Sequence, residues 1–98
     1  MIIITGSAVI RSEHFGEALN LGVEHSARSR GEPGCIAHNC HIDAENPLRI
    51  VFVEQWADIA AVKTHFAVPA SGDFVRTLGG WAEGTPDIKI YSAEEVGR

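Results

Sequence analysis

Two runs of β-branched and aromatic residues, Ile2-Ile3-Ile4 and Ile50-Val51-Phe52-Val53, are apolar without alternation. Successive side chains of a strand point to opposite faces, so a sheet with helices on one side and water on the other alternates apolar and polar. These runs are apolar on both faces. At 98 residues the chain has helices enough to cover one face only. The simplest cover for the second is the same sheet of another copy, stacked face to face about a two-fold axis. A monomer would leave a broad apolar patch in water. A homodimer is therefore the expectation.

The rest of the chain supplies the elements for such a sheet. Met1–Ile10 reads as a strand. Ser12 suits a helix N-cap, and Phe15, Ala18, Leu19, Gly22, Val23, Ser26 and Ala27 follow at helical spacing. Arg28 and Arg30 favour the negative end of that helix, with Gly31 as its C-cap. Glu32-Pro33-Gly34 is a turn. Cys35–Asp43 and Leu48–Trp56 read as strands around a polar loop, Ala44-Glu45-Asn46-Pro47. Asp58 caps a short helix through Phe66 that Pro69 stops. A further helix starts at Ser71 or Gly72 and carries Phe74, Leu78 and Trp81 at i, i+4, i+7. Asp87–Ser92 is the last strand and Ala93–Arg98 a polar tail. The order β-α-β-β-α-(α)-β predicts one α+β domain over residues 1–98. It is a ferredoxin-like antiparallel sheet with helices on one face, paired into a dimeric α+β barrel.

Charge and cysteine usage narrow the function. The formal net charge is −5 and only Lys63 and Lys89 are lysines, so no basic cluster exists to neutralise phosphates. That excludes a nucleic-acid partner. Ile2–Ile4 is too short for a signal peptide or a membrane span, which predicts a soluble, cytoplasmic protein with no membrane partner. Cys35 and Cys40, if on one regular strand, point to opposite faces about 16 Å apart and cannot bridge. No GxGxxG, P-loop, GxSxG or HExxH pattern occurs.

Strand alternation places Ile50, Phe52, Glu54 and Trp56 on one face, a carboxylate between aromatics. An unpaired buried carboxylate is expensive, so Glu54 needs a partner or an edge position. His65, on the following helix, is the natural one: a carboxylate bonded to a histidine fixes its tautomer and raises its basicity. In that arrangement His65 is a general base in a pocket walled by Trp56, Phe66 and Phe74. The same residues also read structurally, with Glu54 at the surface and His65 as a favourable cation at a helix C-terminus. His38 and Cys40 share a face of their strand, and His38 reads as a polar lining residue of the interior. His38 and His41 diverge, and no third ligand converges on them, so no metal site is expected.

Ser29-Arg30, Glu32-Pro33-Gly34-Cys35, Asp43, Pro47-Leu48, Glu54, Trp56, Asp58, Ala61, His65-Phe66, Pro69, Phe74, Leu78, Pro86, Ile88 and Ile90-Tyr91 form an ordered series spanning most of the chain. In that order they resemble the antibiotic biosynthesis monooxygenase family, which includes quinol monooxygenases. The resemblance implies a homodimer with a cavity between sheet and helices. It implies oxidation of a quinol or phenol by molecular oxygen without flavin, metal or other cofactor, with His65 and Glu54 catalytic. Trp56, His38, Phe66, Phe74 and Ser7 would contact the small aromatic substrate. Relatives that degrade haem use an asparagine on the first strand and a tryptophan–histidine pair. Here Ser7 stands near the asparagine and His65 near the tryptophan, which argues against haem degradation. His38 replaces a common tyrosine, and Trp81 a common leucine. The alternative is a non-oxidative binding protein or isomerase-like enzyme using the same cavity, since fold does not fix chemistry.

Overall fold

In the computed structural model, residues 1–97 are described; residue 98, the end of the polar tail, lies outside them. Four strands, β1 (Ile2–Val9), β2 (Cys35–Asp43), β3 (Asn46–Trp56) and β4 (Asp87–Ser92), form one sheet in the order β2-β3-β1-β4. All three pairings are antiparallel. Helices α1 (Phe15–Ser29), α2 (Ile59–Ala67) and α3 (Pro69–Trp81) pack on one face. This is the expected ferredoxin-like α+β sandwich.

The register explains which side chains face the helices. Ile4 pairs with Glu54, Gly6 with Phe52 and Ala8 with Ile50 across β1 and β3, and Ile4, Ala8, Ile50, Phe52, Glu54 and Trp56 are all buried. The interior divides into two clusters. One joins Ala8, Ile10, Ala18, Ile50, Phe52, Phe74, Leu78 and Ala82; the other joins Ile4, Trp56 and Val62.

Local chemistry sets the ends of the elements. Asp58 caps α2, its Oδ1 accepting from the Ala61 N–H at 2.9 Å. Ser12 makes no capping bond: a turn of 3-10 helix, Ser12–His14, leads into α1, and the chain is held there by backbone bonds such as Arg11 N–H to Trp81 O at 3.0 Å. Pro69 occupies the first turn of α3, so that helix begins before Ser71. Proline needs no N–H partner there and presets φ. The β2–β3 loop shortens to Ala44-Glu45, because the Asp43 carboxylate bonds the Glu45 N–H and Asn46 is already paired with Asp43.

Two departures from the expected backbone shape the interior. Gly31 is not left-handed; Gly34 is, at φ 81°. A Cβ on Gly34 would lie 2.5 Å from the Cβ of Ala61. Glycine thus lets the turn after α1 sit directly on α2, where Ala57 N–H also bonds Gly34 O at 2.8 Å. The second departure is in β2. Cys35 and Ala37 oppose the consecutive residues Trp56 and Gln55, so Ile36 is a bulged extra residue. A bulge shifts side-chain alternation by one. Both cysteines consequently face the helices, correcting the opposite-face expectation: Cys35 packs against the Ile4–Trp56 cluster and Cys40 against the Phe52 cluster. Both are free, and burial pushes both thiols up.

Candidate functional site

The helix-facing side of β2 and β3 carries polar groups where an apolar core would be expected. Past Phe52, strand β3 presents Glu54 and then Trp56; opposite them β2 presents His38. Helix α1 adds His25 and Ser26, and α2 adds His65. All but Ser26 belong to one aromatic–carboxylate cluster: the His25, His38 and His65 ring centroids lie 5.0 to 5.6 Å apart. His65 also lies 4.6 Å from the Trp56 ring.

Each ring has a defined partner. His65 Nδ1 donates to Glu32 Oε1 at 2.7 Å. Arg28 donates to the other oxygen of that carboxylate at 2.9 Å, so both oxygens of Glu32 serve as acceptors. Arg28 also donates through Nη2 to His25 Nδ1 at 2.8 Å and to Ser71 Oγ at 3.2 Å. His38 Nδ1 bonds Ser26 Oγ at 2.8 Å. His38 Nε2 stands 3.4 Å from Glu54 Oε1 without hydrogen-bond geometry and is buried with no partner. Glu54 Oε1 accepts from the Trp56 indole N–H at 2.9 Å.

Burial sets the charge states. Burial above all, then the neighbouring His38, His65 and Arg28, lowers His25 from its ordinary value to about 3. Burial, with His65 and the arginines Arg30 and Arg28, lowers His38 to about 4. Both rings are neutral near pH 7. Burial pushes the Glu54 carboxyl up, against the pull of the Trp56 N–H.

A cavity of about 420 Å³ lies beside this cluster, a size suited to a small aromatic molecule. His25, Phe52, Glu54, His65 and Phe74 form its floor, and the half-exposed Phe66, Val75 and Ile88 mark its mouth between α3 and β4. His65, Glu54, Phe66 and Phe74 therefore border the cavity as the sequence reading expected. Trp56 and His38 are fully buried behind its wall and touch the cavity residues instead of lining it. Ser7 borders the cavity but pairs with Val51, on the sheet face away from the helices.

The expected Glu54–His65 hydrogen bond is not formed. Glu54 engages Trp56 and stands beside His38, while the carboxylate on His65 comes from Glu32, in the turn docked by Gly34. Sequence reasoning passed over Glu32 as a turn residue. It also passed over His25, because the helical face was traced through apolar residues. The buried face of α1 runs Ala18, Gly22, His25, Ser29, an i, i+4, i+7, i+11 series that was readable from spacing alone.

The antibiotic biosynthesis monooxygenase family model matches residues 1–77. The chain belongs to the antibiotic biosynthesis monooxygenase family. Among solved structures it is similar to a candidate antibiotic biosynthesis monooxygenase from Deinococcus radiodurans. That protein is 26% identical with a TM-score of 0.94, over 100% of this chain and 97% of the other. A conserved protein from Methanosarcina mazei Go1, 22% identical, shares the fold at a TM-score of 0.89, over 95% of this chain and 92% of its own. An uncharacterised protein of Synechocystis sp. is 29% identical over 95 residues, covering 97% of this chain; the chain spans 65% of that relative's length. No helix among the described residues is long and apolar enough to cross a membrane.

Proposed function

We propose that the protein is a monooxygenase acting on a quinol or phenol, with His65 as the general base and molecular oxygen as oxidant. The reaction asks nothing of a flavin or metal. The observation that carries the reading is the 2.7 Å bond to the Glu32 carboxylate from Nδ1 of His65, which lines an aromatic cavity. A carboxylate on Nδ1 leaves Nε2 as the basic atom and stabilises the imidazolium formed when it takes a proton.

The chemistry follows. The substrate hydroxyl gives its proton to His65 Nε2. The phenolate passes one electron to oxygen, and the resulting radical and superoxide combine at a ring carbon. The peroxide takes up a proton and breaks its O–O bond as the ring carbon loses hydrogen. One oxygen atom stays as the quinone carbonyl and the other leaves as water. The substrate thereby supplies the four electrons that reduce oxygen. Phe52, Phe66 and Phe74 hold the planar ring and keep the site dry.

A homodimer fits the outer sheet face, which carries Ile3, Val9, Val51, Val53 and Tyr91 in register among polar residues. A cytoplasmic location fits the free cysteines.

Oxygen uptake over a panel of hydroquinones and naphthols, with the product analysed for quinone, tests the reading. Turnover by the wild type and its loss in a folded His65→Ala variant are expected. Binding of the same compounds with no oxygen consumed would replace it with the non-oxidative alternative.

A further inference from the structure

Resting on the phenol reading above, we propose that His25 is a second catalytic residue: a neutral imidazole whose Nε2–H donates to the phenolate oxygen that His65 creates.

Arg28 fixes the tautomer of His25. Its guanidinium is a permanent donor, so the 2.8 Å contact from Nη2 makes His25 Nδ1 the acceptor. A neutral imidazole accepting at Nδ1 carries its proton on Nε2. The partner of His65 works in the opposite sense: the Glu32 carboxylate accepts from Nδ1–H, which keeps the proton on Nδ1 and leaves a lone pair on Nε2. One Arg28–Glu32 ion pair, closed at 2.9 Å, thus fixes two adjacent rings in opposite tautomers. Neither Nε2 has a hydrogen-bond partner among the described residues, and neither is sealed as His38 Nε2 is.

The His25 ring lies flat against Phe74, at a centroid separation of 4.0 Å and 7° between planes, which fixes the direction of its N–H. His25 and Phe74 also wall a second cavity of about 310 Å³, which Arg28 lines and His65 does not. Arg28 does not line the main cavity. On this proposal the Nδ1 edge of His25 is held by Arg28, and the unpaired Nε2 edge is the one turned to the guest site that His25 lines. A base and a neutral donor on neighbouring rings meet the two needs of phenol ionisation, which are to accept the proton and to stabilise the oxygen left behind. A neutral donor is suited to this role because it does not compete with the phenol for the proton. The low proton affinity of the buried ring keeps it neutral throughout the working range.

One nitrogen of each of His25, His38 and His65 lies within 4.8 Å of one nitrogen of the other two, which invites a trihistidine metal site instead. Ligation needs a lone pair from each ring. The lone pair of His25 is occupied by Arg28, and a fixed guanidinium beside the site opposes a second cation. The titratable and charged groups around His25 are Arg28 and Glu32 from α1 and its turn, Glu54 and His38 from the sheet, and His65 from α2; α3 stacks Phe74 on the ring, sets Ser71 against Arg28 and brings Arg76 to the rim of the same cavity, while Glu24 of α1 lines the second cavity.

The test uses 4-nitrophenol, whose phenol and phenolate absorb at different wavelengths, bound to the wild type and to His25→Phe. The phenyl ring keeps the stack on Phe74 and removes the donor; should that variant not fold, His25→Ala carries the same comparison. The bound phenolate-to-phenol ratio at fixed pH is expected to fall at least about tenfold, and His25→Gln, which restores a neutral N–H, to recover part of it. Binding with wild-type ionisation in the variants overturns the role of His25 while leaving the phenol reading intact. A wild type that binds no phenol overturns both. Stoichiometric cobalt(II) binding with visible bands, lost in His25→Phe, makes His25 a ligand and also overturns the proposal.

Discussion

The space between sheet and helices has two unlike halves. The half around Ile50, Ile10, Phe74 and Leu78 is closed by apolar side chains from β1, β3, α1 and α3. The other half, at the far end of β3, holds Glu54, His38, His65, His25 and Ser26, all buried. The first half is stabilised by area removed from water. The second has only the small Ile4–Trp56–Val62 cluster to gain from burial and must satisfy each polar group by pairing. It does so except at three ring nitrogens: His38 Nε2, which is sealed, and the Nε2 atoms of His25 and His65, which are not. A fold that needed only stability would fill both halves alike. On the function proposed above, the polar half carries the chemistry, and mutations in the two halves should separate stability from activity.

The sharpest way to break this comparison is at His65. His65→Ala is expected to cut oxygen-consuming turnover by about a hundred- to ten-thousandfold with the circular dichroism spectrum retained. Glu32→Gln keeps the shape but not the charge and should give a smaller loss, seen mainly in kcat. Equal losses of activity and melting temperature in both variants would mean the polar half is merely structural.

The apolar half should show the reverse. Ile50→Ala is expected to lower the unfolding free energy by about 2–5 kcal/mol in denaturant titration, with turnover per folded molecule little changed.

Acid should attack the polar half selectively. His25 and His38 protonate in the folded protein only near pH 3 and 4, but near 6.5 when unfolded. Between those limits the unfolded chain binds more protons, so stability is expected to fall as pH drops below about 6.5. The slope is up to about 1.4 kcal/mol per pH unit for each ring. Glu54 works in the opposite sense: its raised folded value favours the protonated state, a contribution present in acid and lost as pH rises. Urea unfolding from pH 4 to 7 should show the net histidine effect, and His38→Phe should remove about one proton from the slope.

The smallest expected effect sharpens how the halves are joined. Gly34→Ala meets both a left-handed φ and the Ala61 Cβ, and should cost more than about 1 kcal/mol. It should also loosen the Glu32–His65 bond, so a drop in kcat beyond the folded-fraction loss is expected.

The sequence was most informative where periodicity dominates. The alternation through Ile50, Phe52, Glu54 and Trp56 located the inner face of β3, and His65 fell where the spacing after Asp58 put it. Partner choice was not legible in the same way. Glu54 and Glu32 are both carboxylates near the end of a strand or helix, and which one reaches His65 depends on the docking of a turn at Gly34, a tertiary close approach. His25 escaped because a helix face was traced by hydrophobicity, while the buried face of α1 carries Ser26, Ser29 and His25. The bulge at Ile36 leaves no compositional mark, so the shared orientation of Cys35 and Cys40 required the strand register.

The most direct measurement is the nitrogen-15 spectrum of His65 in protein labelled at histidine, with oxygen excluded and a phenol bound to saturation near pH 7. With the phenol seated, the account predicts protonation at both nitrogens and an ionised ligand. A bound, un-ionised phenol beside a His65 whose spectrum does not change would contradict it.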